Sequence, residues 1–230
     1  MKHIVFIIGS LRKDSFNRQL AMVAESLLKD RFVISYLDFE NIPYFNQDLE
    51  SSIVNSQQST DNSQCSKSAP ESKSSFHRSE DGELEAGCRC FADSPVEAYG
   101  RMSLSIIRQQ ILDCDGIWVF TPEYNRSYPG LLKNLFDWLS RPMDISNPIN
   151  ATAVQGKKIT VSGAGGNNKT ASCREKLNEL LRFIKMDVMT EPQTGIALGK
   201  EAWTNGEFKL TDEQLSELKM QAERFEEFLG

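Results

Sequence analysis

The sequence predicts an α/β protein built on a doubly wound, five-stranded parallel sheet. Two observations predict it: strand-like and helix-like segments take turns along the chain, and the connections between them are long enough for crossover helices. A third points to where such a sheet would work, because polar turns rich in glycine, proline and asparagine follow the first, third and fourth strand segments, at the carboxyl edge where these sheets bind ligands.

The elements follow in order. "KHIVFII" is a run of β-branched and aromatic residues and reads as a buried first strand. After "GSLRKDSFNRQLA" (Gly9–Ala21) begins, Phe16, Leu20, Val23, Ala24 and Leu27 recur at helical spacing. "RFVISYL" is the second strand, and Leu104, Ile107, Ile111 and Cys114 share one helical face. "GIWVFT" is the third strand; in "TPEYNRSYPGLLKNLFDW" Pro129 opens the next helix as a first-turn proline, and "LLKNLFDWLS" continues it. "KKITVSG" is the fourth strand, and a helix runs from about Ala171 to Ile184. A fifth strand lies near Met186–Thr190 or Ile196–Leu198. The last helix opens with a capping box, Thr211 to Gln214, and turns Leu215, Leu218, Ala222 and Phe225 inward.

Residues 51–94 break the pattern. They hold twelve serines and few apolar residues beyond Ile53, Val54, Phe76, Leu84 and Phe91, too few to offset the entropy of ordering. This long Ser-rich insert after the second strand reads as low-complexity, disordered or irregular chain, and the rest of 1–230 as one domain. Cys65, His77, Cys88 and Cys90 supply four potential metal ligands within it, but their spacing matches no standard zinc pattern, and no metal is expected.

The chain has 230 residues, 40% hydrophobic, with 26 basic against 32 acidic residues and a net charge of −6, which leaves no electrostatic footprint for nucleic acid or an anionic membrane. The opening "MKHIVFII" is too short in apolar residues for a signal sequence, and no run is long enough to span a membrane. Five cysteines at irregular spacing suit a reducing cytoplasm.

Three turns converge on the expected ligand edge. The first brings a helix N-terminus, the hydroxyls of Ser10 and Ser15, the Arg12 guanidinium and the Asn17 amide together, a donor set suited to a phosphate. A helix cap at Ser15 with a solvated Arg12 accounts for that stretch equally well, so the other turns must decide. Pro122–Tyr128 adds an aromatic and several polar side chains, and "SGAGGNNK" adds three glycines that permit close approach to a flat ligand. A slot with a phosphate cradle at one end and a planar, hydrogen-bonding floor fits flavin mononucleotide (FMN).

The combination of "GSLRKDSFN", "PEYNRSYPGLLKN-x-x-DW" and a glycine-rich turn after the fourth strand resembles the flavodoxin-like NAD(P)H-dependent FMN reductases, the group with quinone, chromate and azo-dye reductases. The resemblance covers nearly all of the chain except the insert. It implies a flavodoxin-like sheet, FMN as cofactor, NADPH or NADH as co-substrate, and a quinone, similar small acceptor or free flavin as electron acceptor. Ser10, Arg12, Ser15 and Asn17 would bind the FMN phosphate. Pro122, Glu123, Tyr124 and Asn125 would lie along the ribityl chain and ring, and Ser162, Gly163, Ala164 and Gly165 would approach the ring's polar edge through backbone groups. Asp14 must then face solvent or pair with Lys13 or Arg18, away from the phosphate.

No side chain is expected to act as acid or base, since a flavin carries the chemistry itself. His3 on the first strand and His77 in the insert read as structural or solvated, and Glu123 as a positioning residue. The alternative is an FMN-binding electron carrier or redox sensor without NAD(P)H turnover. A phosphatase loop, a Walker loop and a dinucleotide fingerprint are each excluded by residues missing from Gly9–Asn17. Leu131, Leu132, Leu135, Phe136, Trp138 and Leu139 make a stripe wider than one sheet face covers, which, with the resemblance, predicts a homodimer or homotetramer.

Overall fold

The computed structural model describes residues 1–50, 95–144 and 151–230, with the backbone alone for 95–103; the Ser-rich insert and its cysteines and histidine lie outside the described residues. In chain order the elements are β1 (Lys2–Ile8), α1 (Phe16–Leu28), β2 (Phe32–Tyr36), α2 (Pro95–Asp113), β3 (Gly116–Phe120), α3 (Gly130–Leu139), β4 (Lys158–Gly165), α4 (Ala171–Phe183), β5 (Asp187–Met189), β6 (Gly195–Ala197), α5 (Lys200–Asn205) and α6 (Asp212–Leu229).

The strand order is β2-β1-β3-β4-β5, every pairing is parallel, and one register row crosses the sheet as Ser35, Val5, Ile117, Ile159 and Val188. This is the flavodoxin-like order, whose switch point lies between β1 and β3. β5 pairs with Lys158–Thr160 and β6 with Gly163–Gly165, so both segments offered as the fifth strand are strands, and both lie along β4.

The central strands are buried on both faces, and their side chains alternate between two cores. Val5, Ile7, Ile117, Val119, Ile159 and Val161 pack with residues of α2, α3 and α4. Ile4, Phe6, Ile8, Trp118 and Phe120 pack with residues of α1 and α6. The two-residue period of a strand places alternate side chains under each helix layer. Gln221 of α6, fully buried, accepts from the Ser162 hydroxyl at 2.8 Å and the Thr194 N–H at 2.6 Å, and donates to Thr160 Oγ1 and the Val161 carbonyl. The amide therefore has every one of its polar positions used and ties α6 to β4 and to the approach to β6.

Four expectations change in detail. Pro129 is the residue before α3, its N-cap, rather than the first residue of the helix. Cys114 is buried one residue beyond α2, and Leu215 of α6 is only half-buried. The broad stripe of α3 is already covered by its own chain. Leu132, Leu135, Phe136, Trp138 and Leu139 are each at most 1% exposed. The segment Pro43–Phe45 lies against Trp138: its Nε1 donates to the Pro43 carbonyl at 2.8 Å, and the Phe45 ring meets it edge-on at 4.9 Å. Asn134 locks the cover in place, donating to the Pro43 carbonyl and accepting from the Phe45 N–H. The width of this stripe therefore gives no reason for a partner subunit.

Candidate functional site

The first loop leaves β1 at Gly9, whose N–H donates to the Phe120 carbonyl. A Cβ there would stand 2.8 Å from Thr121 Oγ1 and 2.9 Å from Leu132 Cδ1, so the close passage of the loop over β3 requires glycine. Ser15 caps α1, its Oγ accepting from the Asn17 N–H at 3.2 Å, and its own N–H donates to the Arg12 carbonyl. Ser10 Oγ accepts a long 3.4 Å bond from the Arg12 N–H. Both hydroxyls, engaged as acceptors, retain a proton to donate. The Arg12 guanidinium lies 5.0 Å from the Phe16 ring centroid and forms no ion pair among the described residues. Asp14 is exposed.

Asn17 does more than the sequence suggested. It is 3% exposed; its Oδ1 accepts from the Ala164 N–H at 2.8 Å and its Nδ2 donates to the Ala164 carbonyl at 3.1 Å. The side chain thus pairs with one backbone unit of β4 as a neighbouring strand would. It clamps the first loop to the third, and one N–H of its carboxamide is left over.

The second loop turns at Asn125 and Arg126, both in the left-handed region with φ 52 and 58. Tyr124 and Ser127 exchange two backbone hydrogen bonds of 3.0 Å across it, a two-residue type I′ turn. Asparagine tolerates this conformation, whereas Arg126 holds it at a cost of about 1–2 kcal/mol. The Glu123 carboxylate accepts from Asn168 Nδ2 at 2.9 Å and from the Cys173 N–H at 3.0 Å. It therefore joins the second loop to the third and places a negative charge on the N-terminal turn of α4, whose own N-cap, Thr170, makes no side-chain cap.

Ser10, Arg12, Ser15 and Asn17 of the first loop, Pro122, Glu123 and Tyr124 of the second, and Ala164 and Gly165 of the third line one pocket. Three predicted residues do not line it. Asn125 is exposed on the turn. Ser162 is wholly buried inside β4, its hydroxyl bonded to Gln221 and Trp118 and its carbonyl to the Thr121 N–H. Gly163 lies in the same strand, where a Cβ would stand 2.3 Å from Thr170 Oγ1 and 2.5 Å from the Thr121 carbonyl. Its glycine makes room for neighbouring loops, not for a flat ligand. Phe16 and Gly166 also line the pocket, and Leu198 and Trp203, likewise absent from the predicted set, complete the wall. The last two follow β6, and the rule that ligands bind beyond strand carboxyl ends would have included them had β6 been separated from β5.

The pocket encloses about 140 Å³, enough for a phosphate and one edge of a larger ligand. A larger cleft of about 790 Å³ lies beside it, sharing Arg12, Ser15, Phe16 and Trp203. The smaller one is the candidate site because the donors meet there: two free hydroxyl protons, an unpaired guanidinium, the spare Asn17 N–H and the first turn of a 13-residue helix. That set fits a phosphate monoester such as the FMN tail. Burial pushes the thiols of Cys173, behind Pro122, and Cys114 up to about 11, so neither is a nucleophile near neutral pH. Among the described residues no three His, Cys, Asp or Glu side chains could hold a metal, and no helix is long and apolar enough to cross a membrane.

A doubly wound parallel sheet of order 2-1-3-4-5 defines a domain of flavodoxin-like fold, and the pocket lies beyond the carboxyl ends of its strands at the switch point. Residues 2–72 and 63–201 match the family model for NADPH-dependent FMN reductase, and the chain belongs to that family. It is similar to a 2-hydroxy-1,4-benzoquinone reductase of a Burkholderia species, 29% identical over 83% of this chain and 75% of the relative. It is also similar to a quinone reductase of Pseudomonas putida, 25% identical over 96% of this chain and 91% of the relative. Among solved structures it superposes on FerB, a flavoenzyme NAD(P)H:(acceptor) oxidoreductase from Paracoccus denitrificans, with a TM-score of 0.68, 25% identity and coverage of 100% and 97% of the two chains.

Proposed function

We propose that the chain holds FMN where the three loops meet and passes electrons from NADPH or NADH to quinones or similar small acceptors. Membership of the FMN reductase family carries the cofactor and the electron donor, and the two quinone reductases among its relatives support the acceptor class. The single observation that carries the site is the donor set at the N-terminus of α1.

In this reading Ser10, Arg12, Ser15 and the N–H groups of α1 hold the phosphate, with charge-assisted bonds to Arg12 the strongest of them. Asn17 contributes its spare N–H and keeps the first and third loops in register. Pro122, Glu123 and Tyr124 flank the ribityl chain and ring, and Asn125 sets the turn that carries Tyr124. Ala164 and Gly165 meet the polar edge of the ring through backbone groups, while Ser162 and Gly163 act from beneath by fixing β4. When bound, FMN supplies the redox chemistry, taking a hydride from the reduced nicotinamide and returning electrons to the acceptor. The protein's task is to position the two partners and shield them, so no acid or base is required of it.

A cytoplasmic enzyme of two or four copies is part of the proposal. With the α3 stripe covered, the assembly rests on the family resemblance and on Phe183, 82% exposed beside half-buried Tyr128 and Leu180. Flavin titration tests the site: wild type should bind FMN stoichiometrically, and Arg12→Glu should weaken it by about 1.5–3 kcal/mol or more with an unchanged circular dichroism spectrum. Equal FMN affinity in the variant would refute the assigned cradle.

A further inference from the structure

The cleft of about 790 Å³ next to the candidate flavin pocket has a chemistry of its own. Its volume lies within the range of small-ligand sites. Arg12, Lys13 and Arg18 line it against a single acidic residue, Asp14, an excess of positive charge on a chain whose net charge is −6. None of those three cations forms an ion pair among the described residues. The same cleft presents Trp203, 62% exposed, and Met22, 59% exposed. Trp203 is partly fixed, packing edge-on against Phe16 at 6.2 Å. An open indole beside unpaired cations is a combination that suits a planar base carrying phosphate.

We infer that this cleft takes the adenosine 2′-phosphate end of NADPH, with Trp203 and Met22 against the adenine and Lys13 and Arg18 on the 2′-phosphate. The inference rests on the dinucleotide-dependent reading above and adds the residues that discriminate between the two donors. The two pockets share Arg12, Ser15, Phe16 and Trp203, the phosphate end of the flavin pocket, so a dinucleotide whose adenosine lies in the cleft runs past that end for its nicotinamide to reach the ring side at Tyr124 and Ala164. NADH lacks the 2′-phosphate and has no dianion to offer Lys13 and Arg18. Lys13 and Arg18 do not line the flavin pocket, so they affect the donor without touching the cradle.

Two measurements on the full chain test it. Calorimetric titration with 2′,5′-ADP and with 5′-AMP, with and without FMN, should show tighter binding of 2′,5′-ADP, lost in Lys13→Gln/Arg18→Gln. In steady state that variant should raise KM for NADPH about tenfold or more while kcat, KM for NADH and FMN affinity stay within twofold. Equal binding of 2′,5′-ADP by wild type and variant, or an equal rise in both KM values, would overturn the inference and leave the FMN reading standing. Tighter binding of FAD than of FMN without NADPH discrimination would assign the cleft to a flavin adenylate and overturn it too. A chain that binds no FMN would sink the proposed function, and the 2′,5′-ADP titration would still decide this site.

Discussion

Asn17→Asp changes one NH2 group to an oxygen and nothing else in shape. In the native protein Nδ2 donates to the Ala164 carbonyl at 3.1 Å from a site 3% exposed. The substitution removes that bond, about 1 kcal/mol, and sets a carboxylate oxygen against a carbonyl oxygen in a desolvated place, about 1–3 kcal/mol more. The surviving bond from the Ala164 N–H at 2.8 Å becomes charge-assisted and offsets about 1 kcal/mol. The net loss is about 1–3 kcal/mol, or roughly 2–12 °C in Tm for a domain of this size. Burial and the facing carbonyl both disfavour the ionised form, so the new carboxyl titrates above its unfolded value. The folded state then binds the proton more tightly, and stability lost at neutral pH should return as pH falls through the raised value. The new charge also stands beside the proposed phosphate cradle, so FMN affinity should fall about tenfold or more. Thermal unfolding followed by circular dichroism from pH 4 to 8, with flavin titration at neutral pH, measures all three effects. A variant with wild-type Tm and wild-type FMN affinity would refute the clamp.

Three further outcomes follow from the packing. Gly163→Ala drives a Cβ to 2.5 Å from the Thr121 carbonyl and 2.3 Å from Thr170 Oγ1, and should cost about 1–3 kcal/mol in denaturant unfolding and loosen FMN; a neutral effect would show that the third loop yields freely. Arg108 is fully buried and donates to the Trp138 carbonyl, its one hydrogen bond among the described residues; burial lowers its pKa, and the nearby Glu50 carboxylate opposes that shift. Glu50→Gln also removes one of the two acceptors of Arg141 and the charge of that pair, which is partly exposed on the Arg141 side, so a loss of about 1–2 kcal/mol is expected, read as a lower urea midpoint. With Cys65, Cys88 and Cys90 changed to serine, the native protein should resist thiol reagents at neutral pH, because Cys114 and Cys173 are buried and titrate at about 11. Those raised values also mean that stability declines as pH climbs past the unfolded thiol value near 8.5. Rapid labelling would contradict both.

The alternation of elements and the convergence of three turns were legible because hydrophobic period and turn residues are local properties. What the sequence left open depends on contacts between distant residues. "KKITVSG" ended two residues early because glycine and alanine look like loop, yet β6 gives Ala164 and Gly165 a partner and keeps them in the strand. The choice between two fifth strands was false, since each is three residues long and β4 is long enough to carry both. Asn17 read as a phosphate donor, and only the arrival of Ala164 from 147 residues away reveals the clamp. The α3 stripe read as an interface because nothing local announces that Pro43–Phe45 folds over it.

The claim that the three loops hold FMN to oxidise NAD(P)H is tested most directly by following reduced nicotinamide absorbance with FMN-loaded protein and a benzoquinone. NADPH should be consumed in step with quinone, and Arg12→Glu should lose activity in proportion to its weakened flavin binding. Unchanged absorbance with FMN bound, for NADPH and NADH alike, would contradict the account and make the protein a flavin carrier or sensor.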